Sequence, residues 1–529
     1  MADLTWLSEC ACMAIYWCCM ITTVFIFVVG VYRLSLHPLA GIPGPRLAAV
    51  SNIWYARRIA SGRLARLGVE LHAKYGDVVR VGPNEVWFNT REAFDQIYAM
   101  GKGFEKSDFY LATALTRPSV NWRLEAHFPD SLDLLSERDM RRYRLQRRAI
   151  GRVYSMANVL NHEAAIDAAI KLATQKLASL KGEELDLREW MHIIAVECLG
   201  ASVLSWSPGL LRDGQDGGTL MHSFKGWRRR SLFGVFPSMK KLEQWSPGLG
   251  RMFASLWGVV HKPPGDFRPF FPAIGRIVGR RMKAFLGPTS QKVRRPDLLD
   301  DLMKLHQEKP EFNEVYLRRM AVTNFGAGHE TLASTLTSAV AMIASHGVVQ
   351  RRVSKEIEEL HGALAYESGA KLPYTKAAIR ESMRLYPVVA ISFPRRVPAT
   401  GMHVHGLSLP ADTTVGCNPN ALHRNEDIYG PSPEEYNPSR WLDGDPSAKN
   451  ELSAKGIMAK YNLSWGGGPR TCPGRNLGEL IVFKVIVALF DAFDVEVLIP
   501  PDADREAYFL FMLSDVKARF HPREKSRQD

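Results

Sequence analysis

From Cys10 to Tyr32 the chain carries no formal charge, and from Met13 onward Ile, Val, Phe and Met dominate. A run of this length is enough to cross a bilayer as one helix. Further on, apolar residues recur every three or four positions in Glu163–Leu180, Arg318–Ser345, Val349–His361, Thr375–Leu385 and Gly478–Phe493. That period predicts amphipathic helices. Shorter alternating or β-branched runs at Val78–Phe88 and His403–Val415, punctuated by Gly and Pro, predict a minor sheet. Between Ser207 and Pro272 the chain is rich in Gly, Pro and Trp around the basic cluster Arg228, Arg229 and Arg230, and it reads as a long irregular excursion. With no repeat of fixed period and no low-complexity segment, the expected architecture is mainly α, with a small β-sheet region after one N-terminal transmembrane helix.

A cleaved signal peptide or a buried core helix would also be apolar. The first is usually shorter and ends in small residues, and the second rarely stands alone at an N-terminus, so a retained anchor over residues 1–33 is the reading adopted. Asp3 and Glu9 precede the span, whereas Arg33, Arg46, Arg57, Arg58, Arg63 and Arg66 follow it before the next acid, Glu70. The positive-inside rule then places the body in the cytosol. Residues 34–45 contain Pro38, Pro43 and Pro45 and read as a stiff hinge. Residues 46–529 read as one large catalytic domain.

The chain has 529 residues, with 68 Lys and Arg against 55 Asp and Glu, a formal net charge of +13. No zinc-finger spacing, RNP-like motif or concentrated basic tract accompanies that surplus, so nucleic acid is a poor partner and anionic lipid or an acidic protein a better one. Cys10, Cys12, Cys18 and Cys19 cluster in the apolar run, leaving Cys198, Cys417 and Cys472 beyond it. An odd, scattered trio fits a reducing compartment.

Chemistry concentrates in Trp465-Gly466-Gly467-Gly468-Pro469-Arg470-Thr471-Cys472-Pro473-Gly474. The segment presents one cysteine from a Gly-rich loop at a helix start, where free N–H groups and the positive helix end favour a thiolate. Gly468 and Gly474 would let the backbone approach a flat ligand, and Arg470 offers a cation to carboxylates. A buried structural cysteine beside a glycine turn is the competing reading. Upstream, Ala327-Gly328-His329-Glu330-Thr331 sits within the long helical pattern. A mid-helix glycine costs stability relative to alanine, so Gly328 suggests that something passes close to the backbone there. His329 invites reading as a metal ligand and is taken as structural instead. Glu381 and Arg384 lie three apart on one helix face, and Pro438-Ser439-Arg440-Trp441 follows.

Together these segments resemble the cytochrome P-450 family. The cysteine loop is similar to its F-x-x-G-x-R-x-C-x-G signature with Trp465 in place of Phe, 327–331 to its A-G-x-[DE]-T motif, and 381–384 with 438–441 to its E-x-x-R and P-x-R-[FW] segments. Tyr143 to Arg148, ending in Tyr154-Ser155, resembles the H-x-x-x-R-R stretch of fungal members, with Tyr143 replacing the usual His or Trp. Gly41–Pro45 and Tyr75–Glu85 look most like pisatin demethylase-like fungal enzymes. The resemblance implies haem b with Cys472 as axial iron ligand. It further implies Arg147, Arg395 and Arg470 at the haem propionates, and Gly328, Gly468 and Gly474 against the haem. Glu330 and Thr331 become an acid and alcohol pair for oxygen activation, and Glu381, Arg384 and Arg440 a buried ionic cluster beneath the cysteine loop.

The implied reaction is monooxygenation of a lipophilic small molecule by a monomer at the endoplasmic reticulum membrane, in fungal secondary metabolism. Electrons would come from NADPH through a separate NADPH:cytochrome P-450 reductase, with cytochrome b5 as an optional second partner; the chain has no dinucleotide fingerprint of its own. Reductase is expected to dock near Arg147, Arg148 and Arg475. Substrate contacts are expected from Phe104–Asp133, Ser207–His261, Met320–Gly326, Val388–Phe393 and Tyr508–Leu513. A reductase-independent haem-thiolate isomerase or dehydratase is the alternative. Such relatives tend to lose the acid and alcohol pair.

Overall fold

The computed structural model describes residues 2–265, 267–286, 296–360, 365–442 and 453–524, with the side chains of 2–11 left aside. The apolar run forms helix α1 (Ala2–Val31), and Cys12–Leu36 is the one single helix among the described residues long and apolar enough to cross a membrane; none of its most apolar window is buried against the body. Arg80, 2% exposed, ties the following linker to the sheet by donating to the carbonyls of Arg33 (2.8 Å), Leu39 (3.3 Å) and Pro83 (2.8 Å).

The helices that carry the site are α2 (Met140–Ile150), α3 (Leu187–Leu204), α4 (Thr219–Val235), α5 (Glu314–Ser345), α6 (Pro373–Leu385) and α7 (Arg475–Ala492). Each start has a local cause. Asp139 caps α2 by accepting from two backbone N–H groups, Asn313 caps α5 by accepting from Tyr316 N–H at 3.0 Å, and Pro373 occupies the first turn of α6. Helix α5 is buried along nearly its whole C-terminal half, and α3 is apolar nearly all round, because α5 packs on one of its faces.

The strands are few. Val78–Phe88 splits at a register irregularity near Gly82 into antiparallel β1 (Val78–Gly82) and β2 (Glu85–Phe88). With β3 (Glu105–Lys106), β4 (Arg395–Arg396) and β5 (Thr414–Cys417) they make a five-stranded sheet in the order β1-β2-β5-β4-β3. The expected run 403–415 is a hairpin, Met402–Val404 with Leu407–Leu409, followed by β5.

The stretch 207–272 corrects the expectation of irregularity. It is mostly helical: α4 buries Leu220, Phe224, Trp227 and Ser231 at three- and four-residue spacing, and Pro237–Trp245 and Pro247–Leu256 follow. Its Gly and Pro residues mark boundaries. Gly218 has φ +67° immediately before α4, and Pro237 and Pro247 each open a helix, where a missing N–H is harmless. Deleting residues 2–36 is expected to move the protein from a salt-washed membrane pellet to the supernatant; persistence in the pellet would mean that another surface holds the membrane.

Candidate functional site

Cys472 sits three residues before α7 and is partly exposed in the bare chain. Its N–H donates to Trp465 O at 2.8 Å, closing the loop on itself. The helix end does not by itself produce a thiolate. Burial pushes the thiol up, and the Gly474 N–H with Arg147 and Arg475 offsets only part of that. A metal cation bound at the sulfur would shift that balance toward the thiolate.

Helix α5 lies against α7 here. A Cβ on Gly478 would come 2.8 Å from Trp465 and 3.9 Å from Leu332, the neighbour of Thr331, so the two distant motifs meet. Ala327 is exposed although it sits mid-helix, Thr331 is half-exposed one turn on, and a Cβ on Gly474 would meet nothing within 4 Å. These three positions border open space beside Cys472's loop. The other two glycines have protein neighbours instead: a Cβ on Gly328 would lie 3.0 Å from Leu199 of α3, and one on Gly468 would strike the Tyr98 carbonyl at 1.8 Å. Gly328 thus serves the α3–α5 crossing, and Gly468, at φ +61°, lets the loop cross the Tyr98 backbone.

Glu330 and Thr331 point apart. Thr331 Oγ1 donates back to the Ala327 carbonyl (2.7 Å) and approaches that of Gly328 (3.3 Å). Glu330, 2% exposed, accepts from Trp227 Nε1 of α4 at 2.9 Å through Oε2, and Ser223 of the same helix also lies against its carboxyl. Burial pushes the Glu330 carboxyl up to about 7, against the pull of Trp227 and Arg230. That places a proton donor and acceptor near neutrality one residue from the open space.

On the loop's other side, several cations gather. Arg470 donates to the carbonyls of Glu137 and Arg138 and stacks 4.3 Å over the Tyr143 ring, yet its Nε is buried and unpartnered. Arg147 Nη1 is also buried and unpartnered. Arg395 caps only its own strand's approach, donating to Phe393 O and Pro394 O. Lys106 of β3, which sequence reasoning missed, is 6% exposed beside them and donates to Leu134 O and Leu135 O. None of these four forms an ion pair among the described residues. Burial and the neighbouring Arg470 and Arg395 push Lys106 well below the usual range, and burial with Arg395 takes Arg470 down to about 10. Such a cluster fits a group carrying two carboxylates. Lys106 was legible only through pairing of β3 with β4, which puts it opposite Arg395. Tyr143 donates its hydroxyl to Pro469 O at 3.2 Å, so this unusual residue braces the loop itself.

The ionic support forms as expected. Glu381 takes two hydrogen bonds from Arg384 (both 2.8 Å), one from Arg440 Nε (2.8 Å) and one from Trp441 Nε1 (2.8 Å), with Glu381 and Arg384 fully buried. Although burial opposes ionisation, the guanidiniums hold its carboxyl below the usual range. His423, unremarked in the sequence, couples this cluster to the loop. Its Nδ1 lies 2.9 Å from Arg384 O, and its Nε2 accepts from Leu463 N–H at 2.8 Å, two residues before Trp465. Three of the expected substrate segments also converge: Phe509 stacks between Trp227 (4.5 Å) and Phe109 (6.3 Å). Phe325, by contrast, is fully buried against Trp206 and Phe270 as core.

A cysteine on a glycine loop facing a helix with a buried acid, flanked by unpaired cations, defines a haem-thiolate site. The sequence profile of the cytochrome P-450 family matches residues 43–518, and the chain belongs to that family. It is 49% identical over 525 residues to cytochrome P-450 monooxygenase sdnT of Sordaria araneosa, covering 93% of each chain. It is 27% identical over 513 residues to cytochrome P-450 monooxygenase cicH of Emericella nidulans (95% and 97% covered) and 26% over 500 residues to a pisatin demethylase of Fusarium vanettenii (93% and 90%). The protein is a haem-thiolate monooxygenase.

Two stability measurements follow. Glu381→Ala strands two buried guanidiniums and is expected to cost about 3–5 kcal/mol in a urea titration; a loss below 1 kcal/mol would remove the cluster's supporting role. Because the folded chain raises Glu330 from 4.5 to about 7, it holds that proton more tightly than the unfolded chain. Glu330 therefore stabilises fully below about pH 4.5, and that contribution, on the order of 3 kcal/mol, is lost as pH rises to 7. Glu85, also raised to about 7, adds a similar slope. Glu330→Gln should remove about half of the decline.

Proposed function

We propose that the chain is a membrane-anchored monooxygenase that oxidises a lipophilic small molecule in fungal secondary metabolism. The oxidation is a hydroxylation, epoxidation, desaturation or demethylation. Electrons come from NADPH through a separate reductase at the endoplasmic reticulum membrane. The observation that carries this reading is the unpaired cluster of Lys106, Arg147, Arg395 and Arg470 beside Cys472, with Thr331 and Glu330 across the open space.

When bound, haem would supply one-electron chemistry on dioxygen, and a thiolate ligand would favour cleavage of the O–O bond. Cys472 would hold its iron, and Lys106, Arg147, Arg395 and Arg470 would take its two propionates. Thr331 presents a hydroxyl to the open space, bonded back to the Ala327 carbonyl, so it can accept one hydrogen bond while keeping its own donor fixed. Glu330 stores a proton beside it, held by the Trp227 indole. Passing that proton inward requires the carboxyl to swing off Trp227. The packing next to Glu330 is aromatic, with Phe509 stacked between Trp227 and Phe109, and an apolar surround of this kind suits a ligand with little polarity. At the opposite surface Arg148 is exposed, whereas Arg475 is engaged by Glu479 at 2.7 Å, so Arg148 is the freer cation for an acidic reductase.

The test is a host expressing the chain with reductase, fed lipophilic extracts and compared by mass spectrometry with a host lacking the chain. A precursor that gains one oxygen or loses two hydrogens only with NADPH is expected. A product of unchanged composition formed without NADPH would replace this reading with the isomerase. In the same host Thr331→Ala should keep the haem spectrum and divert reducing equivalents to peroxide; coupled turnover at the normal level would remove the hydroxyl's role.

A further inference from the structure

Behind Glu330, on the side away from the open space, the titratable groups form a line. His329 and His192 are both fully buried, and His192 Nε2 lies 3.0 Å from His329 Nδ1. His192 Nδ1 lies 3.0 Å from Asp216 Oδ2, and Asp216 is 5% exposed. Asp216 also accepts from the N–H groups of Gly218 (2.8 Å) and Leu220 (3.0 Å), and its own N–H donates to Glu189 at 3.0 Å. Glu189 is only half-buried and sits one turn before His192 on α3. At the inner end His329 Nε2 stands 3.9 Å from Glu330 Oε2.

We propose that Asp216, His192 and His329 are positioning residues that resupply Glu330 with protons from the Glu189 side, without passage through the substrate cavity. This rests on the assignment of Glu330 to proton delivery made above. A histidine pair that merely filled the core would be satisfied at both ends. Here the line ends at His329 Nε2, which is buried without a hydrogen-bond partner and stands 3.9 Å from Glu330 Oε2. The edges of Phe270 (5.3 Å) and Phe271 (5.9 Å) close the space around His329, and Leu199 beneath Gly328 fixes the spacing of α3 and α5.

The charges facing each member suit the task. Despite its burial, Asp216 is held below the usual range by His192 and by backbone N–H groups, so it rests as a carboxylate facing His192. Burial, then His192 and Arg230, push His329 far down, so it serves as a neutral relay and not as a resting cation. Glu330 faces Trp227, Ser223 and Arg230 from α4 and His329 from its own helix.

The transfer balances. It begins with a solvent proton taken up on the Asp216 carboxyl, His192 and His329 each carrying one ring hydrogen on Nε2, and Glu330 ionised after giving its proton inward. The Asp216 proton passes to His192 Nδ1, the His192 Nε2 proton to His329 Nδ1, and the His329 Nε2 proton to a Glu330 oxygen. One proton has moved, Asp216 is again a carboxylate, and both histidines carry their hydrogen on Nδ1. Their return to the Nε2–H tautomers resets the line without changing the proton count.

The test uses the resting, haem-loaded, full-length enzyme with its cavity filled by a bulky azole, and needs neither reductase nor substrate. The infrared C=O band of the protonated Glu330 carboxyl is assigned by its loss in Glu330→Gln, and its hydrogen–deuterium exchange is timed. Exchange should slow by about tenfold in His192→Gln, in His329→Gln and in the more distant Asp216→Asn, with the haem absorption spectrum and melting temperature unchanged. Unchanged exchange in folded variants would overturn the proposal and leave the monooxygenase reading standing. Conversely, full product yield from Glu330→Gln would remove Glu330's role in the reaction even where exchange proved fast. If His329→Gln does not fold, Asp216→Asn, two residues away along the line, decides alone.

Discussion

One carboxylate, Glu381, is stripped of water and shared among two guanidiniums and an indole, and the functional loop depends on that arrangement. A buried charge is tolerated only when its neighbours replace the hydration it has lost, and here the replacement is nearly complete. Arg384 and Arg440 spend their remaining donors on the carbonyls of His423, Pro433 and Tyr429, so the irregular chain between α6 and the loop is pinned by charge-assisted bonds and not by a regular ladder. His423, neutral at this burial, carries that rigidity to Leu463. The cysteine is held in place from underneath by a network that never touches it.

Above the loop the electrostatics run the other way. Lys106, Arg395 and Arg470 repel one another, Arg147 shares Tyr143 with two of them, and none of the four forms an ion pair among the described residues, with Asp133 and Glu137 offsetting part of the repulsion. A doubly anionic ligand turns the same cluster into a source of folding stability, because binding to the native state alone shifts the equilibrium toward it. Positive charge that looked like a diffuse surplus in the composition is, at this point, concentrated.

Much of this was legible in the sequence because helices are periodic and because the ionic cluster and the cysteine loop rely on residues whose chemistry is narrow. The long helices lie within a few residues of where their apolar spacing put them, and Glu381 pairs with Arg384 because three residues is nearly one turn. The misreading of 207–272 came from treating Gly218, Pro237 and Pro247 as breakers of one loop when each begins a helix. Lys106, His423 and the Asp216–His192–His329 line were invisible for a different reason. Their partners lie tens to hundreds of residues away, and no local pattern encodes a pairing across two crossing helices. Gly328 was singled out correctly as a point of close approach, but sequence alone could not say that the visitor was Leu199.

An aromatic stack beside Glu330 joins Phe109 to Phe509 and Trp227 to Phe509. Contacts so far apart along the chain are closed late, since the entropy of each long loop must be met before the contact rewards it. During synthesis the first two rings leave the ribosome long before the third exists. Until Phe509 emerges, their faces are exposed apolar surface, next to a membrane that the N-terminal helix is suited to enter. This stack therefore closes only after Phe509 has left the ribosome, later than the helices that carry its first two rings.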